Sequence, residues 1–323
     1  MCANEKIEWI EVEVLRRTGE AEDIIGLELQ AVDGRELPPF SAGAHIDVRT
    51  SAGLVRQYSL CNDPHTGGNY RLGVLLDPNS RGGSRAVHEE LRSGSRVAIG
   101  IPRNLFPLVD ESRSITLIAG GIGITPLLAM AYTLHRHGRA FSFHVCARTA
   151  ERVAFRDVLQ GWGERVHYHY NTVEDPLAPA FDPTRDIGPY VDGHYIYTCG
   201  PSGFLEFIRK SAAELGWPED AVRLEHFGAE APVAGEAITV EARRSGITVE
   251  VGPESTIAEA LQAAGVPVEM SCEQGICGMC MTKVLDGVPE HRDLYLTEAE
   301  KVRNDRMTIC CSRAKSACLV LDI

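Results

Sequence analysis

Four cysteines in the C-terminal quarter constrain this chain more than anything else in it. Cys272, Cys277 and Cys280 stand close together, and a second cysteine site follows at Cys310, giving the spacing Cys-x4-Cys-x2-Cys-x29-Cys. Thiolates so spaced can surround a [2Fe-2S] cluster, three from one loop and a fourth from a distant segment. Gly275 and Gly278 lie between the first three cysteines. A loop wrapped round a cluster needs residues that tolerate positive φ and let backbone N–H groups approach sulfur. A structural zinc ion usually takes two closely spaced pairs of ligands. The second pair here would be the adjacent Cys310 and Cys311, a poor geometry for one tetrahedral ion. Cys272, Cys277, Cys280 and Cys310 are therefore the expected metal ligands.

At 323 residues the chain exceeds what one hydrophobic core supports, so two or three domains are expected. A hydrophobic share of 44% and a charged share of 24% are those of an ordinary globular protein. The segment from Met1 to Trp9 has no basic n-region or apolar h-region, and no stretch reaches the ~20 apolar residues of a membrane span. Ten cysteines without a secretory signal read as thiols kept reduced in a cytoplasm. The formal net charge of −13 argues against nucleic acid and anionic lipid as partners. It would suit a basic protein partner, but acidic proteins are common and an ordinary solvated surface accounts for it better.

Residues 1–110 show short strands broken by turn residues, with one helix at Ser84 to Leu91, and read as an antiparallel barrel. Residues 111–229 alternate strand and helix, the pattern of parallel β-α-β units. Helices are expected at Leu127 to His135, Arg152 to Leu159 and Ser202 to Leu215. Residues 230–236, rich in Ala, Pro and Gly, read as a linker to a third region, 237–323, with a hairpin, a helix at Thr256 to Ala264 and the cysteine loop.

On the strand Arg56-Gln57-Tyr58-Ser59-Leu60, Arg56 and Tyr58 face one side and Ser59 the other. Arg81-Gly82-Gly83-Ser84 opens the helix. Glycines before a helix N-terminus, with a hydroxyl and an arginine, make an anion site, although an N-capped helix after a flexible turn reads the same way. Arg-x-Tyr-Ser followed by this turn resembles the flavin domain of the ferredoxin-NADP reductase superfamily. The resemblance implies that Arg56, Arg81, Gly82, Gly83 and Ser84 hold the flavin phosphate. It also implies that Tyr58 packs on the ring, that Ser59 bonds near its reactive nitrogen, and that the backbone of Val74 and Leu75 lines its edge.

Gly121-Ile122-Gly123 follows a buried strand and precedes a helix, with Thr125 and Pro126 at its start. The turn is a phosphate-approach site of a nucleotide-binding half, with Pro126 where a third glycine is usual. Cys199-Gly200-Pro201 ends a later strand, and both loops sit where ligands bind in open α/β sheets. The pair is similar to the pyridine-nucleotide domain of the same superfamily, which implies Thr125 and Cys199 beside the nicotinamide. Cys199 is expected to pack and orient rather than attack. Arg148, after the second strand, would suit NADPH, and Glu151 nearby would suit NADH.

The order of flavin barrel, nucleotide domain and plant-type ferredoxin (β-grasp) domain resembles the phthalate dioxygenase reductase family, with its vanillate demethylase reductases. Supporting segments are Arg56 to Pro64, Ser80 to Ser84, His291-Arg292-Asp293 and Cys311 to Ser316. The resemblance implies FMN and NADH as cofactors, and Phe227, in His226-Phe227-Gly228, as a gate between nicotinamide and flavin. It assigns Cys310 to the cluster and Cys311 to the core, which alternation along a strand from Met307 to Cys311 would also give. Cys318 is expected to pack in a terminal strand. His167 and His169 share a strand face, and packing rather than metal binding is expected of them.

NADH delivers an electron pair, a [2Fe-2S] cluster takes one electron at a time, and a flavin between them converts one into the other. The resemblance therefore implies an NADH-dependent reductase feeding a Rieske-type aromatic oxygenase or O-demethylase. A stand-alone flavin and iron–sulfur oxidoreductase and an iron–sulfur redox sensor are the alternatives.

Overall fold

The computed structural model describes residues 8–78, 82–110, 112–171, 179–227, 235–270 and 272–323. The chain divides into two compact units, Met1–Phe227 and Gly228–Ile323.

The first unit begins with β1 (Trp9–Ala21), β2 (Ile24–Ala31), β3 (Ala44–Arg49), β4 (Val55–Ser59) and β5 (Tyr70–Leu75). Helix α1 (Gly83–Glu90) precedes β6 (Arg96–Gly100) and the short β7 (Arg103–Asn104). These strands form a seven-stranded sheet in the order β4-β3-β6-β1-β2-β5, with β7 beside β3, and every pair is antiparallel. A bridge from Leu60 to Leu72 joins the two ends, so the sheet closes and leaves no open edge there. Val12, Val14, Leu27, Leu29, Ile46, Val48 and Ile99 fill its interior. β1 runs beyond the expected Leu15 because two register shifts, near Val14 and Gly19, bend it without breaking its pairing.

The second half of this unit holds β8 (Ser114–Gly120), α2 (Ile124–Arg136), β9 (Ala140–Ala147), α3 (Arg156–Gln160), β10 (Val166–Tyr170), α4 (Pro183–Asp186), β11 (His194–Gly200), α5 (Ser202–Glu214) and β12 (Val222–His226). The five strands are parallel, in the order β10-β9-β8-β11-β12. The helix expected from Arg152 to Leu159 is instead a 3-10 turn, Ala150–Arg152, and a short α3 separated by Val153 to Phe155. Phe155 adopts φ 59°, which a helix cannot contain. Its ring is buried with Leu127, Leu159 and Ile24 in a core that the barrel and the parallel sheet share.

The second unit contains β13 (Ile238–Ala242), β14 (Ile247–Val251), α6 (Ile257–Ala263), β15 (Met281–Asp286), β16 (Pro289–Glu290), α7 (Glu298–Arg303), β17 (Arg306–Thr308), β18 (Arg313–Ala314) and β19 (Cys318–Leu321). Its main sheet has the order β14-β13-β19-β15-β17, with β13 and β19 parallel. The apolar face of α6, carrying Ile257, Ala258 and Leu261, packs with Val240, Leu319 and Leu321. This is a β-grasp sheet. The expected strand from Met307 to Cys311 stops at Thr308, and Cys310 and Cys311 lie on a turn, so strand alternation does not separate them. Cys318 is in a strand as expected but exposed, so it does not serve packing.

Candidate functional site: two anion cradles and a four-cysteine loop

The strand β4 and the helix α1 bring the first group of residues together. Gly82, at φ 92°, leads into α1 without a side-chain cap, so the amides of the first turn keep their donors for an anion. A Cβ on Gly83 would lie 2.5 Å from Arg56 Cγ, which shows how closely the Arg56 side chain crosses the helix start. Ser84 Oγ accepts from the Asp77 amide at 3.2 Å. Arg81 lies outside the described residues. Tyr58 and Ser59 follow on β4, opposite Ile46 and His45, and burial pushes the Tyr58 hydroxyl well above its ordinary range. On β5, Val74 and Leu75 pair with Ile25 and Ile24, and the Val74 carbonyl accepts from His88 Nε2 at 2.9 Å.

The parallel sheet builds the second cradle. Strands β8 and β11 are neighbours, and each runs directly into a helix with no side-chain cap, α2 through Gly121–Gly123 and α5 through Pro201. Two positive helix ends therefore converge at the C-terminal edge of the sheet. A Cβ on Gly123 would sit 2.1 Å from the Cys199 carbonyl oxygen, and one on Gly200 would meet the Gly120 Cα at 3.0 Å, so only glycine permits this approach. Helix α2 starts at Ile124, before the expected Leu127, and Pro126 sits in its first turn, where no N–H is lost. Ile122 is half-buried and Pro201 exposed. Thr125 donates to the Ile122 carbonyl at 3.1 Å. Its methyl would meet a Cβ on Gly73 at 2.7 Å, so the start of α2 abuts β5 beside Val74. Arg148 is exposed just past the end of β9.

Sequence reasoning passed over Glu225. It sits on β12, opposite Cys199 on β11, and burial pushes its carboxyl up to about 8. Thr198 Oγ1, Glu225 Oε2 and His226 Nδ1 are buried with no hydrogen-bond partner among the described residues. The register puts Glu225 on the same sheet face as Cys199, and Thr198 and His226 on the other, so of the three only Glu225 is placed for a polar ligand beside Cys199. No motif carries Glu225; its signal is its place one strand over from Cys199. The Cys199 thiol is held well above its ordinary range, chiefly by burial and then by Glu225. It is a neutral packing group rather than a nucleophile. Phe227, past the end of β12, is exposed.

In the second unit the loop brings its cysteines together. The Cys272 thiol is within hydrogen-bonding reach of Cys277 and Cys310, and Cys310 reaches Cys280. The amides of Gln274 and Met279 donate to Cys272 and Cys277 sulfur at 3.3 Å and 3.5 Å. Gly275 and Gly278 both take φ 71°. A Cβ on Gly278 would lie 2.4 Å from the Tyr295 ring, and one on Gly275 would lie 2.4 Å from Cys311 sulfur. Cys311 sulfur lies 3.2 Å from Thr308 Oγ1 and within hydrogen-bonding reach of Cys310. Four converging thiols, donated amides and left-handed glycines fit a [2Fe-2S] cluster.

Elsewhere, His144 and His169 lie close to Asp186. His169 Nδ1 donates to the Pro179 carbonyl and its Nε2 lies 3.0 Å from His144 Nδ1, a satisfied pair. Burial pushes His144 down to about 3. His167 stacks on His144 and is exposed.

Comparison with known proteins agrees with this geometry. The family model for the 2Fe-2S iron-sulfur cluster binding domain matches residues 240–315. The chain is 46% identical over 307 residues to a vanillate O-demethylase oxidoreductase of Pseudomonas sp. (strain HR199 / DSM 7063), covering 94% of this chain and 96% of that one. A solved structure of phthalate dioxygenase reductase superposes with a TM-score of 0.81 at 37% identity, covering 98% of both chains. The chain belongs to the phthalate dioxygenase reductase family. Members are not confined to aromatic systems, since the carnitine monooxygenase reductase subunit of Escherichia coli (strain K12) is 37% identical over 322 residues, covering 98% of this chain and 99% of that one. The protein is a flavin iron–sulfur oxidoreductase. Among the described residues, no helix is long and apolar enough to cross a membrane.

Proposed function

We propose that the protein is the NADH-dependent reductase component of a Rieske-type aromatic oxygenase or O-demethylase, working in the cytoplasm with FMN. The observation that carries this reading is the contact of α2 with β5, the Thr125 methyl against Gly73. This contact supports the reading because it puts the start of α2 beside the strand that would line the flavin, and hydride transfer needs its two partners held close.

Arg56 and the α1 amides would bind the FMN phosphate, with Arg81 completing the set, and Tyr58 and Ser59 would address the ring. Gly121, Ile122, Gly123, Gly200 and Pro201 would receive the NADH pyrophosphate between the ends of α2 and α5, with Arg148 toward the adenosine side. Thr125, Cys199 and the neutral Glu225 would orient the nicotinamide. A carboxyl kept protonated can donate a hydrogen bond to a carboxamide oxygen. Phe227 would cover the ring where the nicotinamide arrives. A bound flavin supplies the conversion from an electron pair to single electrons. Cys272, Cys277, Cys280 and Cys310 would hold the cluster from which the oxygenase is reduced. Glu273 and the exposed Leu294 and Tyr295 beside this loop offer a docking face.

The test is the absorption spectrum of the purified protein with its flavin extracted and weighed. The reading expects FMN, a long-wavelength cluster shoulder, and bleaching of both by NADH faster than by NADPH. Extracted FAD, or a cluster that stays oxidised under excess NADH, would overturn it. Turnover of an aromatic substrate without added oxygenase would favour a stand-alone enzyme.

A further inference from the structure

Arg313 is a fully buried side chain, and among the described residues no carboxylate bonds to it. Its guanidinium instead donates to three backbone carbonyls, Glu236 at 2.5 Å, Ser255 at 2.5 Å and Gly252 at 3.3 Å. A buried cation held only by carbonyls is costly to desolvate, and one aromatic or aliphatic side chain would fill the space with less penalty. What the arginine does that an apolar residue could not is join separate segments through a planar fork.

The segments it joins have different tasks. Gly235 and Glu236 are the end of the linker, and Gly235 N also donates to the Pro253 carbonyl at 3.1 Å. Gly252 and Ser255 belong to the turn before α6. Arg313 itself is three residues beyond Cys310. Its neighbour Ser312 receives the Arg292 amide at 3.2 Å and donates to the Asp293 carboxylate at 3.4 Å. Leu294 N then donates to the Gly275 carbonyl inside the cysteine loop at 3.0 Å. An unbroken series of hydrogen bonds and covalent links therefore runs from the linker through Arg313 to the cluster loop.

We infer that Arg313 is a positioning residue that makes a rigid junction between the linker and the cluster-bearing turn, and that flavin-to-cluster electron transfer depends on this junction. The inference rests on the proposed electron route. Without the fork, Glu236 and Ser255 lose the guanidinium that ties both to the turn after Cys310, and the Gly235 amide alone holds the linker end. Gly235 supports the assignment independently. A Cβ there would lie 2.9 Å from Arg313 Nε and 3.4 Å from an Arg292 nitrogen, so glycine is what lets the linker reach the guanidinium.

The experiment uses the whole flavin- and cluster-loaded protein in stopped flow, following flavin bleaching and cluster bleaching separately after mixing with NADH. Arg313→Gln and Gly235→Ala should both leave flavin reduction within about twofold and slow cluster reduction by about tenfold or more, as a small misplacement of reacting partners does. Both should also raise the rate of proteolytic cleavage in the linker, and Arg313→Lys, with one point donor, should fall between them and the wild type. Gly235→Ala leaves every residue near the cysteines intact, so it decides the matter if Arg313→Gln loses its cluster. Cluster reduction within twofold of wild type in Gly235→Ala, with an unaltered visible circular dichroism spectrum and unaltered linker cleavage, overturns the inference. A wild-type cluster that NADH does not bleach overturns the electron route and the inference with it.

Discussion

In the proposed reading the nucleotide cradle and the cluster loop would bind their ligands by opposite means. The cradle is mostly backbone, two uncapped helix ends and a glycine too close to Cys199 for any side chain, with the Glu225 carboxyl beside them. The cluster loop is made of side chains, four converging sulfurs, with glycines clearing the way. A site of the first kind should fail gradually, in affinity and orientation. One of the second kind should fail outright.

The largest effect should come from Cys277→Ser. It should cut NADH-driven cytochrome c reduction by more than about a hundredfold while flavin bleaching by NADH stays within about twofold. A parallel loss of flavin bleaching would show that the two sites do not fail separately. Gly123→Ala should come next. The new methyl, 2.1 Å from the Cys199 carbonyl oxygen, forces α2 off β11, and kcat/KM for NADH should fall about a hundredfold. The visible spectrum of the cluster should not change, and a bleached cluster would break the contrast.

Glu225→Gln tests the neutral carboxyl. Its folded pKa of about 8 stands above the ordinary 4.5, so between those values the folded state binds the extra proton. Stability from this group is whole below about pH 4.5 and is lost as pH rises through 8. Raising the pH from 5 to 8 should therefore lower the unfolding free energy of the wild type more than that of the variant, by about 3 kcal/mol, read from denaturant melts at the two pH values. Equal pH slopes would mean that the carboxyl is ionised in the fold. The smallest effect belongs to Thr256→Ala, which removes the capping box that Thr256 and Glu259 form at α6. It should cost about 1 kcal/mol, read as easier denaturant unfolding of the second unit, with NADH-to-flavin transfer unchanged.

The same contrast explains what could be read from the sequence. Side-chain chemistry at fixed spacing survives in one dimension, so Cys272, Cys277, Cys280 and Cys310 were legible, and so were the glycine turns at Gly82 and Gly121. Glu225 was not. A buried carboxyl acquires meaning only when β12 lies beside β11, and the alternation of Val222, Arg223, Leu224 and Glu225 along β12 by itself reads Glu225 as a solvent-facing residue. The break in the helix before Phe155 was hidden for a related reason. The ring is held by the shared core, and that tertiary contact outweighs the local preference for helix. Alternation along a strand could not separate Cys310 from Cys311, because the chain turns after Thr308 and the two neighbouring sulfurs stay within hydrogen-bonding reach of each other.

The parallel pairing of β13 with β19 also governs how the protein comes into being. Residues Ile238 to Ala242 find their neighbour only when Cys318 to Leu321 exist, and β19 stands in the middle of the sheet. A pairing across such a sequence separation is slow to form, and Cys310 arrives almost as late. On the ribosome, the first unit can therefore fold and fill its flavin site while the three leading cysteines are still exposed thiols. The set of four thiols is complete only once Cys310 has been made. Until then Cys272, Cys277 and Cys280 are exposed to oxidation without their fourth partner.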